Sequence, residues 1–171
     1  MKRTSIRKMV FAAFMAALVC VATMVVEIPS PTNGYVNLGD CFVLLSAWLL
    51  GPWYGAAAAG IGSMLTDLFM GYAYYAPGTL VIKGLMGLCA ALLYRMLHKT
   101  APKSALILSS VVAEVIMVVG YFVYAAFCLG YGFVAGAAGI PGNLVQAVVG
   151  IAAAIVLMSA LRRTGIDKKL L

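Results

Sequence analysis

Long apolar stretches alternate with short polar connections along the whole chain, and this pattern predicts membrane-spanning helices. The longest stretch, 41–70, is interrupted only by Gly51-Pro52. As one straight helix it would be about 45 Å long, against a hydrocarbon core of about 30 Å. A glycine followed by a proline predicts a turn that divides it. We therefore expect an all-α integral membrane protein with six helices in one domain, 1–171, at about 6–26, 39–51, 53–70, 79–97, 104–127 and 140–162.

The composition agrees with a lipid environment. Hydrophobic residues make up 64% of the 171 residues and charged residues 10%, whereas soluble domains carry about 25% charged residues. The mean hydropathy is +1.05. The four cysteines lie apart, without the C-x-x-C spacing of a zinc site or a thiol oxidoreductase. We therefore expect no metal site and interpret the cysteines as small apolar residues.

The basic residues predict how the helices are oriented. The connections at about 27–38, 71–78 and 128–139 contain no lysine or arginine. Cytoplasmic loops are rich in these residues, so the basic clusters and both termini are expected in the cytoplasm. This topology explains the net charge of +7, and no basic face with stacking aromatics suggests nucleic-acid binding. The clusters are Lys2, Arg3, Arg7 and Lys8; Arg95, Lys99 and Lys103; and Arg162, Arg163, Lys168 and Lys169.

Polar residues inside the apolar segments are few, and most fall in the outer half of the predicted membrane region. Charged side chains in lipid are costly and mark functional sites. The outer connections hold uncharged aromatic residues. Together the two groups predict a cup, open to the outside, for a small, flat, polar ligand. The polar residues are Asp40, Asp67, Lys83, Glu114, Asn143 and Gln146, and the aromatic residues are Tyr35, Tyr72, Tyr74, Tyr75, Tyr131 and Phe133.

Each of these residues also has a purely structural interpretation. Asp40 could cap the second helix, and the tyrosines could form an interfacial belt without touching a ligand. Asp67 and Lys83 could form a structural ion pair. Asn143 could cap the sixth helix, whereas Gln146, three residues further on the same helical face, has no capping role.

The first helix carries a pattern of small residues. Ala12, Ala13, Ala16 and Ala17 form two overlapping small-xxx-small pairs. Such pairs let a second helix approach closely. We therefore expect this part of the first helix to contact another helix.

An ordered series of motifs covers essentially the whole chain. The motifs are Tyr35-Val36-Asn37-Leu38-Gly39-Asp40, Leu50-Gly51-Pro52-x-Tyr54-Gly55, Gly60-Ile61-Gly62-Ser63 with Asp67, Tyr75-Ala76-Pro77, Ile82-Lys83-Gly84-Leu85-Met86-Gly87 and Pro141-x-Asn143-x-x-Gln146. The series resembles the substrate-binding S components of energy-coupling factor (ECF) transporters. It is most similar to the riboflavin-type branch, which includes hydroxymethylpyrimidine carriers.

The resemblance implies an S-component-like bundle, multi-pass in the plasma membrane of a prokaryote, that binds a vitamin or a vitamin precursor from outside. It also implies a transmembrane T component, on which the alanines of the first helix would pack, and two ATPases. ATP would be used by those partners alone, since the sequence has no G-x-x-x-x-G-K-[ST] loop. The substrate-binding residues expected from position and resemblance are Tyr35, Asn37, Asp40, Asp67, Tyr74, Tyr75, Lys83, Glu114, Asn143 and Gln146.

Two other classes of function compete with this interpretation. A self-sufficient secondary transporter or channel subunit would use Asp67, Lys83 and Glu114 as a proton relay. Such transporters usually show internal repeats, and the halves 1–85 and 86–171 show no convincing repeat. An intramembrane enzyme would need a nucleophile beside a base. His98 has no such neighbour in sequence, so we expect no enzyme and no catalytic residue.

The charged residues of the predicted cup do not determine the substrate, because the cup contains both positive and negative side chains. Lys83 suits a carboxylate, and Asp67 or Glu114 suits a cationic ring. Trp48 and Trp53 lie near the predicted cytoplasmic ends of their helices, so stacking in the cup would fall to tyrosine or phenylalanine. This favours a small ring, such as hydroxymethylpyrimidine or a pyridoxine-like compound, over riboflavin.

Overall fold

The computed structural model describes residues 3–29 and 35–165, and this part of the chain is almost entirely helical. A short antiparallel pair of strands, β1 (Glu27–Pro29) and β2 (Tyr35–Asn37), stands between the first two helices, with Ile28 opposite Val36. The α helices are α1 (Arg3–Val25), α2 (Gly39–Leu50), α3 (Pro52–Phe69), α4 (Ala76–Leu97), α5 (Pro102–Val123), α6 (Gly132–Ala138) and α7 (Ile140–Thr164).

Six of these helices have 12 residues or more, and three short elements fall where the sequence predicted connections. The strands lie in the connection expected at 27–38, and the seven-residue α6 lies in the one expected at 128–139. Helix α5 continues into a π-helical turn, Tyr124–Cys128. The all-α fold class with six principal helices is confirmed.

The predicted division of the long apolar stretch occurs at Gly51. This glycine has φ +79°, a backbone conformation that residues with a Cβ rarely adopt, and Pro52 begins α3 at a position where no amide donor is needed. The two helices then pack closely, since a Cβ on Gly55 would lie 2.8 Å from the Cα of Ala47. The result is a tight α2–α3 hairpin.

Helix α2 is the centre of the bundle. It packs against α1, α3, α4 and α7, and every residue of it except Phe42 is buried. With 12 residues it rises about 18 Å, less than the hydrocarbon thickness, but the surrounding helices separate it from lipid. Helix α5 packs on α4 and α7 and completes the bundle.

The outer surface of the bundle is apolar, as expected for a protein surrounded by lipid. Val10, Phe14, Val115, Val148 and Val156 are between 56% and 68% exposed, an arrangement that a soluble protein of this size does not sustain. Four helical stretches in the described residues are long and apolar enough to cross a membrane by themselves: Ile6–Val25, Ala76–Leu97, Pro102–Cys128 and Gly132–Thr164.

The two ends of the bundle differ in chemistry. At one end, which we call the basic end, the guanidinium group of Arg95 lies directly against Gly51, so that any side chain there would collide with it. Arg162 of α7 donates a hydrogen bond of 2.7 Å to the hydroxyl of Tyr94. The ring of Tyr94 lies 6.0 Å from that of Trp48. The α2–α3 turn therefore lies at the same end as Arg95 and Arg162, as the six-helix topology requires.

Candidate substrate-binding site

At the opposite end of α2, Asp40 is the centre of a buried polar network. Its side chain is fully buried, one oxygen forms an ion pair with Lys83 of α4, and the other accepts a hydrogen bond of 2.6 Å from Nε2 of Gln146 in α7. The N-cap residue of α2 is Leu38, which has no side-chain capping hydrogen bond, and Asp40 lies inside the first turn. The interpretation of Asp40 as a helix cap is therefore wrong, and the carboxylate instead connects three helices.

Lys83 is 4% exposed, and its ammonium group has two kinds of partner. Besides the ion pair with Asp40, it lies 5.6 Å from the ring centroid of Tyr121, within the range of a cation–π interaction. The alternative ion pair between Asp67 and Lys83 is wrong, because Lys83 pairs with Asp40. Asp67 is buried on α3, within electrostatic range of Tyr121.

Gln146 and Asn37 extend the network to the strand before α2. Oε1 of Gln146 accepts hydrogen bonds of 3.1 Å from the backbone amide and from Nδ2 of Asn37. Oδ1 of Asn37 in turn accepts a bond of 2.8 Å from the amide of Gly39. We call Asn37, Asp40, Lys83 and Gln146 the polar cluster. It joins β2, α2, α4 and α7 through side chains that are each less than 10% exposed.

Asn143 lies one turn before Gln146 on α7 and is half-buried. The N-cap of α7 is Gly139, and no side chain caps the helix. The interpretation of Asn143 as a helix cap is therefore wrong. Its position places it between the polar cluster and the connection that contains α6.

Glu114 is a further buried charge, near the middle of α5. Its side chain is 3% exposed, and neither carboxyl oxygen has a hydrogen-bond partner within the described residues. Asp40 and Lys83 are the charged groups that act on it electrostatically. The structure therefore brings Glu114 next to the polar cluster without joining it to the hydrogen-bond network.

Tyrosines cover the side of the polar cluster that faces the α3–α4 connection. The ring of Tyr75 lies 5.1 Å from that of Tyr74, 6.0 Å from that of Tyr124 and 6.4 Å from that of Tyr121. Tyr124 donates a hydrogen bond of 2.9 Å to the carbonyl of Tyr74, and Tyr121 donates one of 3.1 Å to Thr79. These rings form a continuous aromatic wall from the connection down to Lys83.

The connection tyrosines remain neutral over the physiological pH range. Burial, followed by the neighbouring phenol of Tyr131, raises the pKa of Tyr75 to about 12, and the same causes raise the pKa of Tyr74. Both side chains are therefore hydrogen-bond donors as well as stacking surfaces.

Sequence reasoning missed Tyr121, Tyr124 and Thr79. A signal was present, because Tyr121 and Tyr124 are three residues apart on one helical face, and Tyr121 follows Glu114 by two turns. Tyr35 lies in β2, opposite Pro29, and its side chain is outside the described residues. Tyr131 lies close enough to Tyr74 to raise the pKa of its phenol.

The alanines of α1 divide between two faces. Ala12 is buried and Ala16 is half-buried, and a Cβ on Gly62 of α3 would lie 2.5 Å from the carbonyl of Ala16. Ala13 and Ala17 are exposed on the outer face of α1. The small residues therefore serve close packing inside the bundle on one face and are exposed among larger apolar residues on the other.

The chemistry available here is hydrogen bonding, charge and ring stacking. Within the described residues, no group of three or more His, Cys, Asp or Glu side chains is arranged to hold a metal ion. A helical membrane bundle with a buried polar cluster under an aromatic wall has the features expected of a membrane protein that binds a small polar solute.

Residues 3–163 match the family described as ECF-type riboflavin transporter, S component, and the chain belongs to this family. The resemblance inferred from the motifs is thereby confirmed. The family consists of transporter subunits and not of enzymes. The chain is therefore a membrane transport protein of the S-component class.

Two sequence relatives and one solved structure are similar to the chain over most of its length. The chain is 40% identical over 134 residues to an uncharacterised protein of Pyrococcus woesei, covering 78% of this chain and 86% of that one. It is 31% identical over 169 residues to the thiamine precursor transporter HmpT of Lactococcus lactis subsp. cremoris, covering 97% and 94%. The S component of a bacterial ECF transporter has the same fold, with a TM-score of 0.68 at 18% identity over 94% of this chain and 98% of that one.

Proposed function

We propose that this chain is the substrate-binding subunit of an ECF-type importer and that its substrate is hydroxymethylpyrimidine, the pyrimidine precursor of thiamine. The observation that carries the proposal is the buried polar cluster next to a wall of tyrosines. The substrate is a flat single ring with an amino group, two ring nitrogens and a hydroxymethyl group. A tyrosine wall stacks on such a ring, while a few buried polar groups fix its orientation.

The aromatic side chains near the cluster favour a single ring. Trp48 is buried near the basic end, where it donates a hydrogen bond of 3.0 Å to Ser109. Trp53, in the first turn of α3, is 79% exposed. Stacking at the polar cluster therefore falls to Tyr75 and Tyr121, whose rings also contact one another. This surface suits a pyrimidine or pyridine ring better than the three fused rings of a flavin.

The named relative supports the same choice. HmpT of Lactococcus lactis is described as a thiamine precursor transporter, and its similarity extends over 97% of this chain. The family as a whole is described by riboflavin. Riboflavin is therefore the comparison ligand that an experiment has to include, together with a pyridoxine-like compound.

Orientation in the membrane follows from the two ends of the bundle. The end with Arg95 and Arg162 faces the cytoplasm, because positively charged residues concentrate there. The polar cluster then opens toward the outside of the plasma membrane of a prokaryotic cell, where it captures substrate. This orientation also puts both chain termini in the cytoplasm.

Energy for uptake comes from partner subunits. The 171 residues contain no G-x-x-x-x-G-K-[ST] loop, the backbone element that holds the phosphates of ATP in many ATPases. A transmembrane T component and two ATPases supply ATP hydrolysis. The exposed face of α1 with Ala13 and Ala17 is the surface that packs on the T component, since small residues permit close helix contact.

The test is a titration of the detergent-purified protein with hydroxymethylpyrimidine, pyridoxine and riboflavin. We expect hydroxymethylpyrimidine to bind most tightly. Gln146→Ala should weaken binding about tenfold or more, because it removes the amide that holds Asp40 and Asn37 in place at the site. Ser159→Ala is the matched control on the same helix, since this exposed hydroxyl bonds only the carbonyl of Ile155 in the described structure. Tightest binding of riboflavin would contradict the proposed substrate.

A further inference from the structure

The basic end carries exposed cations that have no acidic residue near them in the sequence. Arg95 lies in the last turn of α4, Lys99 in the α4–α5 connection and Lys103 in the first turn of α5, and all three are exposed. Residues 84–113 include no aspartate or glutamate. The three cations are therefore available to an anionic ligand. The acidic residues of the described chain lie in β1, in the first turn of α2, near the far end of α3 and in the middle of α5: Glu27, Asp40, Asp67 and Glu114.

A tight connection holds the three cations together. The amide of Ala101 donates a hydrogen bond of 2.9 Å to the carbonyl of Leu97, and α5 begins at the next residue. Helices α4 and α5 also pack against one another. Lys99 follows Arg95 by four residues and precedes Lys103 by four. The cations therefore form one patch at the end of the α4–α5 pair, which we call the α4–α5 basic patch.

Apolar side chains are exposed on the same two helices, closer to the centre of the bilayer. On α4, Leu92 and Met96 are exposed and share a helical face with Arg95, from which they are three residues and one residue away. On α5, Ile107 is exposed and follows Lys103 by one turn. Each helix thus presents a cation near its end and apolar side chains further into the membrane.

Trp53 indicates the depth of the basic patch in the membrane. This residue, in the first turn of α3, is 79% exposed, and tryptophan concentrates at the interface between lipid and water. The guanidinium group of Arg95 lies directly against Gly51, two residues before Trp53. Arg95 is therefore at the depth of the lipid headgroups, and Lys99 lies further from the centre of the bilayer.

We infer that the α4–α5 basic patch binds the phosphate of an anionic phospholipid, such as phosphatidylglycerol, while the acyl chains lie along the apolar side chains below it. This inference goes beyond the proposed function and does not depend on the substrate. Arginine and lysine near the membrane surface attract anionic headgroups, and guanidinium groups bind phosphate oxygens through two parallel hydrogen bonds.

The arrangement of charge and apolar surface favours a lipid over an acidic protein. A water-soluble partner would reach the cations from the end of the bundle, but not Leu92 and Ile107, which lie deeper in the membrane. A phospholipid matches both parts, because its phosphate lies at the interface and its acyl chains extend toward the centre of the bilayer. A lipid with a zwitterionic headgroup brings its own cation close to Lys99 and Lys103, so we expect it to bind less tightly.

The experiment is native mass spectrometry of the delipidated, detergent-purified chain, titrated with phosphatidylglycerol or with phosphatidylcholine of the same acyl chains. We expect the first phosphatidylglycerol to bind about tenfold more tightly or better. The double variant Lys99→Gln with Lys103→Gln should lose this preference, with phosphatidylglycerol affinity about tenfold lower or less and phosphatidylcholine affinity unchanged. Both positions are exposed, and thermal unfolding without added lipid should show that the variant is folded.

The matched control is Arg7→Gln with Lys8→Gln, which removes the same charge at the same end. These residues are exposed on α1, which packs mainly on α2 and α3, so this variant should keep the preference. An equal loss in both double variants would overturn the site in favour of attraction by net charge alone.

Two further measurements separate other anions from the lipid. Glycerol 3-phosphate, which has the phosphate without acyl chains, should not compete with phosphatidylglycerol at equal concentration. Competition at that concentration would overturn the lipid in favour of a soluble anion. A wild-type chain without preference for phosphatidylglycerol, whose Lys99→Gln and Lys103→Gln variant fails to copurify the ATPases, would overturn it in favour of an acidic protein surface.

Discussion

The ion pair between Asp40 and Lys83 is tolerated in an apolar bundle because nearly every polar atom of the pair is engaged. Asp40 uses one oxygen for Lys83 and the other for Gln146, and the ammonium group also faces the ring of Tyr121. Both side chains are at most 5% exposed. Removing one member of such a pair leaves the other charge buried without compensation, which costs more than removing both.

Lys83→Met should therefore destabilise the protein by about 3–5 kcal/mol, whereas the double variant Asp40→Asn with Lys83→Met should recover a large part of this loss. Thermal unfolding in detergent measures the difference. Lys99→Met, at an exposed position, is the control and should change stability by about 0.5 kcal/mol or less. A Lys83→Met protein as stable as the wild type would show that the pair does not form.

The sequence identifies the members of the polar cluster but not their pairing. Asp40, Lys83 and Gln146 stand out as polar residues in apolar segments, and their spacing gives the face that each occupies on its own helix. The rotation of one helix against another is set by close contacts such as Gly55 against Ala47. For this reason the sequence could not decide whether Lys83 pairs with Asp40 or with Asp67.

At the scale of elements, α1 presents two different faces. Its inner face packs so closely on α3 that Gly62 has no room for a Cβ beside the carbonyl of Ala16. Its outer face exposes Ala13 and Ala17 between larger apolar residues such as Val10 and Phe14, which are 63% and 57% exposed. The same alanine pattern therefore serves folding on one face and leaves the other face available to a partner.

Ala17→Trp should reduce copurification of the T component at least tenfold and leave substrate affinity unchanged, since a large side chain prevents close helix approach. Val156→Trp, on an exposed position of α7, is the matched control. Pull-down from cells that express the whole transporter, together with calorimetry on the isolated chain, gives both readouts. Unchanged copurification of Ala17→Trp would exclude this face from the interface.

Short elements were missed where the chain is rich in glycine. Helix α6 has seven residues and contains Gly132 and Gly136, and glycine is a poor helix former. Its position is stabilised by contacts outside the element, including the ring of Phe133 at 5.2 Å from that of Phe122. A segment of seven residues is too short for its hydrophobic period or its helix propensity to predict α6.

At the scale of the whole molecule, the protein is a bundle with a basic end and an end that holds the polar cluster, where we propose that substrate binds. The α2–α3 turn and Arg95 share one end, and the polar cluster lies at the other end of α2. The apolar stretches, the Gly51-Pro52 turn and the three basic clusters were enough to predict this arrangement. The central position of α2 could not be predicted from the sequence. This helix of 12 residues is buried because other helices surround it, and its own sequence does not indicate which helices those are.

The central claim is that this chain binds substrate and relies on partners to move it, in contrast to a secondary transporter driven by Asp67, Lys83 and Glu114. The most direct measurement uses vesicles that contain the purified chain alone, radiolabelled hydroxymethylpyrimidine and an imposed proton gradient. We predict retention of one ligand per protein at saturation, with or without the gradient, and no accumulation inside. Gradient-driven accumulation above that stoichiometry would contradict the account.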